Sequence, residues 1–200
     1  MLGMSQISTG RTRGRPAAAS REDVLEAGLY RYLRGQRVDV QAIASELGLG
    51  RATIYRWFGS REKLLGEVII RATEPVLVQA RSGLAGKGGP GLLDTFDRFN
   101  RALADAPALR AFVEQERDAS LRIIASGAGI VQPRIVQLIT ALITEEAEAG
   151  TYDPPMEPSV LGFAIVKLAQ AFLFNDAVVG IRGDVDRLRE VEAALLGVPA

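Results

Sequence analysis

The chain has 200 residues, 48% of them apolar and 24% charged, which is enough to bury a core as one domain or two small ones. It has no cysteine and no histidine, which excludes disulfides, thiol redox chemistry, His-based general-base catalysis and nearly all zinc sites. Formal net charge is zero, yet residues 1–71 hold 12 Lys/Arg against 7 Asp/Glu, and the remainder holds 12 against 17. A basic N-terminal third on an acidic body is the asymmetry expected when one end meets a polyanion; a solvated charge gradient would give the same counts.

Residues 1–19 include RTRGRPAAA and read as a flexible basic arm, or in their first few residues as a cloning remnant. They lack a hydrophobic core of signal-peptide type, and no apolar run reaches about 18 residues without charge. A cytoplasmic protein with no membrane partner is expected. Ser20 offers an N-cap with Asp23 three residues on, and Val24, Leu25, Leu29, Tyr32 and Leu33 follow at helical spacing until Gly35. Asp39 caps a second helix, VQAIASEL, with Val40, Ile43, Ala44 and Leu47 inward. After the tight turn Gly48-Leu49-Gly50, RATIYRWF forms a third, with Ile54, Trp57 and Phe58 inward. Ser60 caps a fourth from Arg61, carrying Leu64, Leu65, Val68 and Ile69, which Pro75 kinks or interrupts before the spacing resumes at Val76.

GKGGPG at 86–91 reads as a flexible break near the domain boundary; without a preceding strand or a Gly-Lys-Ser/Thr ending it is no phosphate loop. Further helices follow: one marked by Leu92, Leu93, Phe96, Phe99 and Leu103, and one starting at Pro107 and carrying Leu109, Phe112, Val113, Leu121, Ile123 and Ile124. Another carries Ile135, Leu138, Ile139, Leu142 and Ile143 and closes at Gly150. Beyond TYDPPMEP, a mostly apolar helix runs from about Pro158 to Val179, and a last helix covers about 184–196. No β pattern of any length is present. The expected fold is all-α: a basic arm over 1–19, a three-helix unit over 20–71 and a helical unit over 72–200.

The second and third helices, joined by a short glycine-containing turn, form a helix-turn-helix, whose second helix sits in a DNA major groove. Arg51, Ala52, Thr53, Tyr55 and Arg56 point away from Ile54 and Phe58. Arg reads guanine or binds phosphate, Thr contacts phosphate or a thymine methyl, and Tyr hydroxyl donates to phosphate. Arg61, in the first turn of the fourth helix, is a further phosphate candidate beside free backbone N–H groups.

VDVQAIASELGLGRATIYRWFGSREKLL resembles the DNA-binding segment of the TetR family of bacterial transcription repressors. The matching residues are Ile43-Ala44, Gly48-Leu49-Gly50, Thr53-Ile54-Tyr55, Phe58, and Ser60-Arg61 with Leu64. Two positions depart from the family pattern. Gly50 replaces the usual Ser, costing the third helix a side-chain cap and about a few tenths of a kcal/mol. Arg61 replaces the usual Lys and keeps the charge. In the C-terminal part, IVKLAQAFLFNDAVVGIRGDVDRL, together with WFGSREKLLGEV, resembles the QsdR-like subgroup, associated with quorum-signal degradation genes.

The resemblance implies a homodimer held by the last two helices as a four-helix bundle, acting on a palindromic operator in double-stranded DNA. Helix 158–179 agrees: Leu161, Ile165, Leu168 and Phe172 form one stripe, while Val160, Phe163, Ala164, Ala171 and Phe174 fill much of the rest. A helix apolar nearly all round buries two faces. Burial of the whole helix within one subunit is the alternative. The resemblance also implies a pocket for a small-molecule inducer in the C-terminal unit, a DNA-binding and ligand-binding domain pair with no cofactor. Phe96, Phe99, Phe112, Phe163, Phe172 and Phe174 are candidate walls, each with ordinary core packing as its alternative. Asn100, Gln115, Arg117, Arg122, Lys167, Gln170 and Asn175 are polar candidates, because burial would demand a partner for each. Lys167 is the foremost of these, with a snorkelling surface lysine as its alternative. Many Phe and few fixed charges point to an apolar or mildly polar inducer, lipid-like or lactone-like. Repressor or activator stays open.

An enzyme would need carboxylate or lysine chemistry. The acidic clusters Glu114-Glu116 and Glu145-Glu146-Glu148 have the spacing of a solvated face, so no catalytic or metal site is expected. A helical protein-interaction module without specific DNA binding is the competing reading; it would not require the basic and aromatic face at Arg51–Arg56.

Overall fold

The computed structural model describes residues 19–174 and 184–200. The basic arm lies outside them except for its last residue, as do Asn175 and the segment to Val179 expected to continue the long helix. The described residues form ten helices and no strand: α1 (Arg21–Leu33), α2 (Val40–Glu46), α3 (Arg51–Phe58), α4 (Arg61–Arg81), α5 (Gly88–Ala104), α6 (Pro107–Gln115), α7 (Arg117–Ala125), α8 (Val131–Glu148), α9 (Pro158–Phe174) and α10 (Val185–Leu196).

Local chemistry sets most of these boundaries. Ser20 and Asp23 form a reciprocal capping box: the Ser20 hydroxyl accepts from the Asp23 backbone N–H, and the Asp23 carboxylate accepts from the Ser20 N–H at 2.6 Å. Asp39, Ser60 and Asp184 cap α2, α4 and α10, each side chain accepting a backbone N–H three residues on. Gly50 caps α3 without a side-chain bond, as its lack of a hydroxyl requires.

Two apolar clusters make the core, and α4 belongs to both. The first joins Val24, Ile43, Ile54, Phe58, Leu65 and Val68 to Leu109, Phe112, Ile123 and Ile124, so α6 and α7 complete the core of the N-terminal helices. The second packs Leu77 against Leu92, Phe96, Ile139, Ile143, Leu161 and Leu196 from α5, α8, α9 and α10. At about 1.5–3 kcal/mol for each fully buried large side chain, these contacts dominate the stability. Helix α8 meets α9 so closely that a Cβ on Gly162 would lie 2.5 Å from the Thr140 hydroxyl oxygen. Leu33 and Leu121, expected inward, are exposed.

Three sequence expectations are corrected. Pro75 does not end α4, which runs unbroken from Arg61 to Arg81. The stretch from Pro107 to Ile124 is two helices, because Glu116 leaves helical geometry (φ −118°, ψ 39°). GKGGPG is a packed corner and the first turn of α5. Gly88, Gly89 and Gly91 are buried, and Gly88 has φ +64° with the Thr151 carbonyl oxygen where a Cβ would stand. Only glycine fits there. Glu146 holds this corner: its carboxylate accepts from the Gly86 and Gly88 backbone N–H groups, each at 2.7 Å, and pairs with Arg81. Glu146 is only 1% exposed, so the acidic run of α8 is not a uniformly solvated face.

Candidate functional site

Helix α3 is short, and its two sides differ. Ile54 and Phe58, four residues apart, are buried in the first cluster. Arg51, Ala52, Tyr55 and Arg56 are exposed, with Tyr55 at 42%, and Thr53 is half-buried. Neither Arg51 nor Arg56 forms an ion pair with a described residue. The turn before α3 is held by the Leu49 N–H bonding the Ala44 carbonyl at 2.8 Å, with Gly48 at φ +65°. Five of the six residues expected to meet DNA therefore share one helix, and four of them are exposed. Lys63, exposed in the first turn of α4, adds a cation at the α3–α4 corner that the sequence reading passed over.

Arg61, the sixth, is placed apart from them, with partners inside the protein. Its guanidinium donates to both Glu116 carboxylate oxygens, at 2.5 and 3.1 Å, and to the Val38 carbonyl at 3.2 Å. Arg37 joins the same carboxylate at 3.3 Å. Arg61 is thus half-buried and committed to tying α4 to the α6–α7 corner. The Arg61 hydrogen bond holds the Glu116 carboxyl below its ordinary value against an opposing push from burial, with the charges of Arg61 and Arg37 assisting. Glu116→Gln should lower unfolding free energy by about 1–3 kcal/mol at pH 7. A depressed carboxyl contributes stability above its ordinary value near 4.5 and loses it as pH falls, so in chemical melts the deficit should shrink under acid conditions. A deficit unchanged by pH would refute that role for Glu116.

A cavity of about 70 Å³ (the volume open to the centre of a water-sized sphere) lies in the C-terminal helices. Every helix from α4 to α10 contributes to its wall, which is mostly apolar. Of the expected residues, Phe96, Phe99, Phe174, Asn100 and Gln170 line it, as do Thr73 and Glu192. Arg122, paired with Glu62, does not, nor do five others. Phe112 packs on the Tyr32 ring in the first cluster, 6.2 Å between centroids. Gln115 donates to the Gly35 carbonyl at 2.7 Å. Phe163 is 48% exposed on the outside of α9, and Phe172 is buried away from the cavity wall. Lys167 is half-buried behind the wall, its ammonium donating to Gln132 Oε1 at 2.6 Å and the Ala125 carbonyl at 3.2 Å. It does not snorkel. Glu192 went unnoticed in the sequence, although it stands four residues after Leu188 and four before Leu196, on the buried stripe of α10.

The sequence of residues 32–68 matches the bacterial regulatory proteins of the tetR family, and residues 87–197 match the tetracyclin repressor-like C-terminal domain. The chain belongs to the TetR family. It is therefore a ligand-responsive, DNA-binding transcription regulator and not an enzyme. Regulators of this family act on operator DNA as dimers and respond to small molecules. Among solved structures, this TetR-family chain is similar to the transcriptional repressor QsdR from R. erythropolis, at 28% identity and a TM-score of 0.81, with 90% of this chain and 95% of that one covered. The TetR-family transcriptional regulator PfmR from Thermus thermophilus is 17% identical, with a TM-score of 0.42 over 90% of this chain and 98% of that one. No curated protein matches the sequence. None of the described helices is long and apolar enough to cross a membrane.

Proposed function

We propose that the protein is a homodimeric repressor that binds a palindromic operator through α3 and leaves it when a small apolar molecule fills the cavity. The observation that carries this reading is the two-sided α3: Ile54 and Phe58 lock it to the core while Arg51, Ala52, Tyr55 and Arg56 stand exposed. In this reading residues 20–71 are the DNA-binding unit and residues 72–200 the ligand and dimer unit, with the basic arm of residues 1–19 and Lys63 adding phosphate contacts.

Dimerisation is supported by α9, where Phe163 and Val160, 54% exposed, leave an apolar outer face on a helix whose inner face is already buried. The similar QsdR is a repressor, which supports repression over activation. Helix α4 supports the release step. Its Leu64, Leu65 and Val68 hold the DNA-binding helices, and its Ile69 and Thr73 line the cavity. A ligand shifts the protein off DNA only as far as it binds the non-binding state more tightly.

The test is binding to DNA fragments from upstream of the protein's own gene and neighbouring genes, at two salt concentrations, for wild type and Arg51→Ala/Tyr55→Ala. Wild type should bind one fragment selectively as a dimer, more weakly at high salt. Each lost contact should cost about 1–3 kcal/mol in the double variant. Selective binding that survives both substitutions would refute the α3 assignment.

A further inference from the structure

The cavity has one polar pole. Asn100 Nδ2 donates to Glu192 Oε1 at 3.0 Å, and both side chains are buried. The second carboxyl oxygen, Oε2, is buried without a hydrogen-bond partner. Glu192 is the one charged residue in the cavity wall among the described residues, and the rest of the wall is mostly aliphatic and aromatic. A buried polar atom without a partner is costly, and the cavity is where a partner would come from.

We propose that Glu192, positioned by Asn100, is the recognition point of this cavity and selects an apolar ligand carrying a neutral hydrogen-bond acceptor, a carbonyl oxygen. The proposal rests on the reading of the cavity as the inducer site. Asn100 occupies Oε1 as an acceptor, which leaves Oε2 to carry the carboxyl proton and donate it to the ligand. Burial holds the carboxyl protonated, raising it to about 8, with Asp97 on α5 adding to the rise. Its Asn100 hydrogen bond and Arg189 on α10 act in the opposite direction, and the α4, α6, α7, α8 and α9 residues of the wall bring no charge. A carboxylic acid kept neutral donates a hydrogen bond; a cationic amine would need it ionised. The Glu192–Asn100 pole thus sets the ligand's polar end, and the apolar wall sets its body.

Calorimetric titration of the purified protein with octane, octan-2-one and octylamine, at about pH 6.5 and about pH 9, tests this in wild type, Glu192→Gln and Glu192→Leu. Wild type should bind octan-2-one about tenfold more tightly than octane at the lower pH. The preference should vanish in Glu192→Leu, persist in Glu192→Gln through its amide N–H, and fall at the higher pH in wild type alone. Equal binding of octane and octan-2-one would overturn the carbonyl assignment while leaving the cavity as the ligand site. Octylamine bound best at the higher pH would replace it with a cationic ligand. No binding of any probe would overturn both the assignment and the cavity reading.

Discussion

Glu146→Ala should lower the unfolding free energy by about 3–5 kcal/mol, the cost of removing one member of a buried charged pair. The carboxylate is almost wholly out of solvent and accepts four hydrogen bonds: from Arg81, from the Gly86 and Gly88 backbones, and from the Thr151 hydroxyl at 2.5 Å. Removing it strands a guanidinium and two backbone N–H groups at the start of α5. Burial by itself pushes this carboxyl up. The bonds from Thr151, Arg81, Gly86 and Gly88 outweigh it and bring it down to about 2. A group lowered on folding contributes stability above its ordinary value of 4.5 and loses it as pH falls toward 2. Urea melts at pH 7 and pH 3 should therefore show a large deficit that narrows in acid. The thermal midpoint at pH 7 should drop by roughly 10 °C. A deficit below about 1 kcal/mol at pH 7 would mean that the corner holds without its carboxylate.

Glu192→Gln should have the opposite pH signature. The wild-type carboxyl is raised by burial to about 8, above its ordinary 4.5. A group raised on folding contributes stability that is fully present below the unfolded value and is lost as pH rises through the folded one. Wild type should thus lose a few kcal/mol between about pH 4.5 and pH 8 through this residue. Glutamine keeps the shape and the bond to Asn100 but does not titrate. In melts at pH 5 and pH 8, the variant should gain on wild type as pH rises, since every other group is common to both. A difference that is the same at both pH values would show that Glu192 is not held protonated. Such a residue weakens the fold near neutral pH, a pattern expected where a side chain is kept for binding.

The exposed face of α3 was legible because its determinants are local. Ser20, Asp39 and Ser60 cap helices through bonds to residues three positions on, and Ile54 and Phe58 lie one turn apart. The same periodicity that buries those two residues exposes Arg51, Ala52, Tyr55 and Arg56. The pairing of Arg61 was not legible because its partner Glu116 lies 55 residues away, beyond any periodic signal. Three of the six aromatic candidates for the cavity, Phe112, Phe163 and Phe172, failed similarly. Phe112 and Phe96 are equally apolar and equally helical, yet one packs on Tyr32 and the other lines the cavity.

The sequence by itself determined most of the helices, several of their caps, the helix-turn-helix and the residues on its outer side, since each depends on contacts within about one turn of chain. Only the tertiary structure decided which carboxylates are buried, where the cavity opens and what lines it. Glu146 and Glu145 are adjacent acids on one helix, but Glu146 alone meets Arg81 and the Gly86–Gly88 backbone, some 60 residues upstream. Whether a polar side chain is solvated, paired or left waiting for a ligand depends on the distant helices that pack against it.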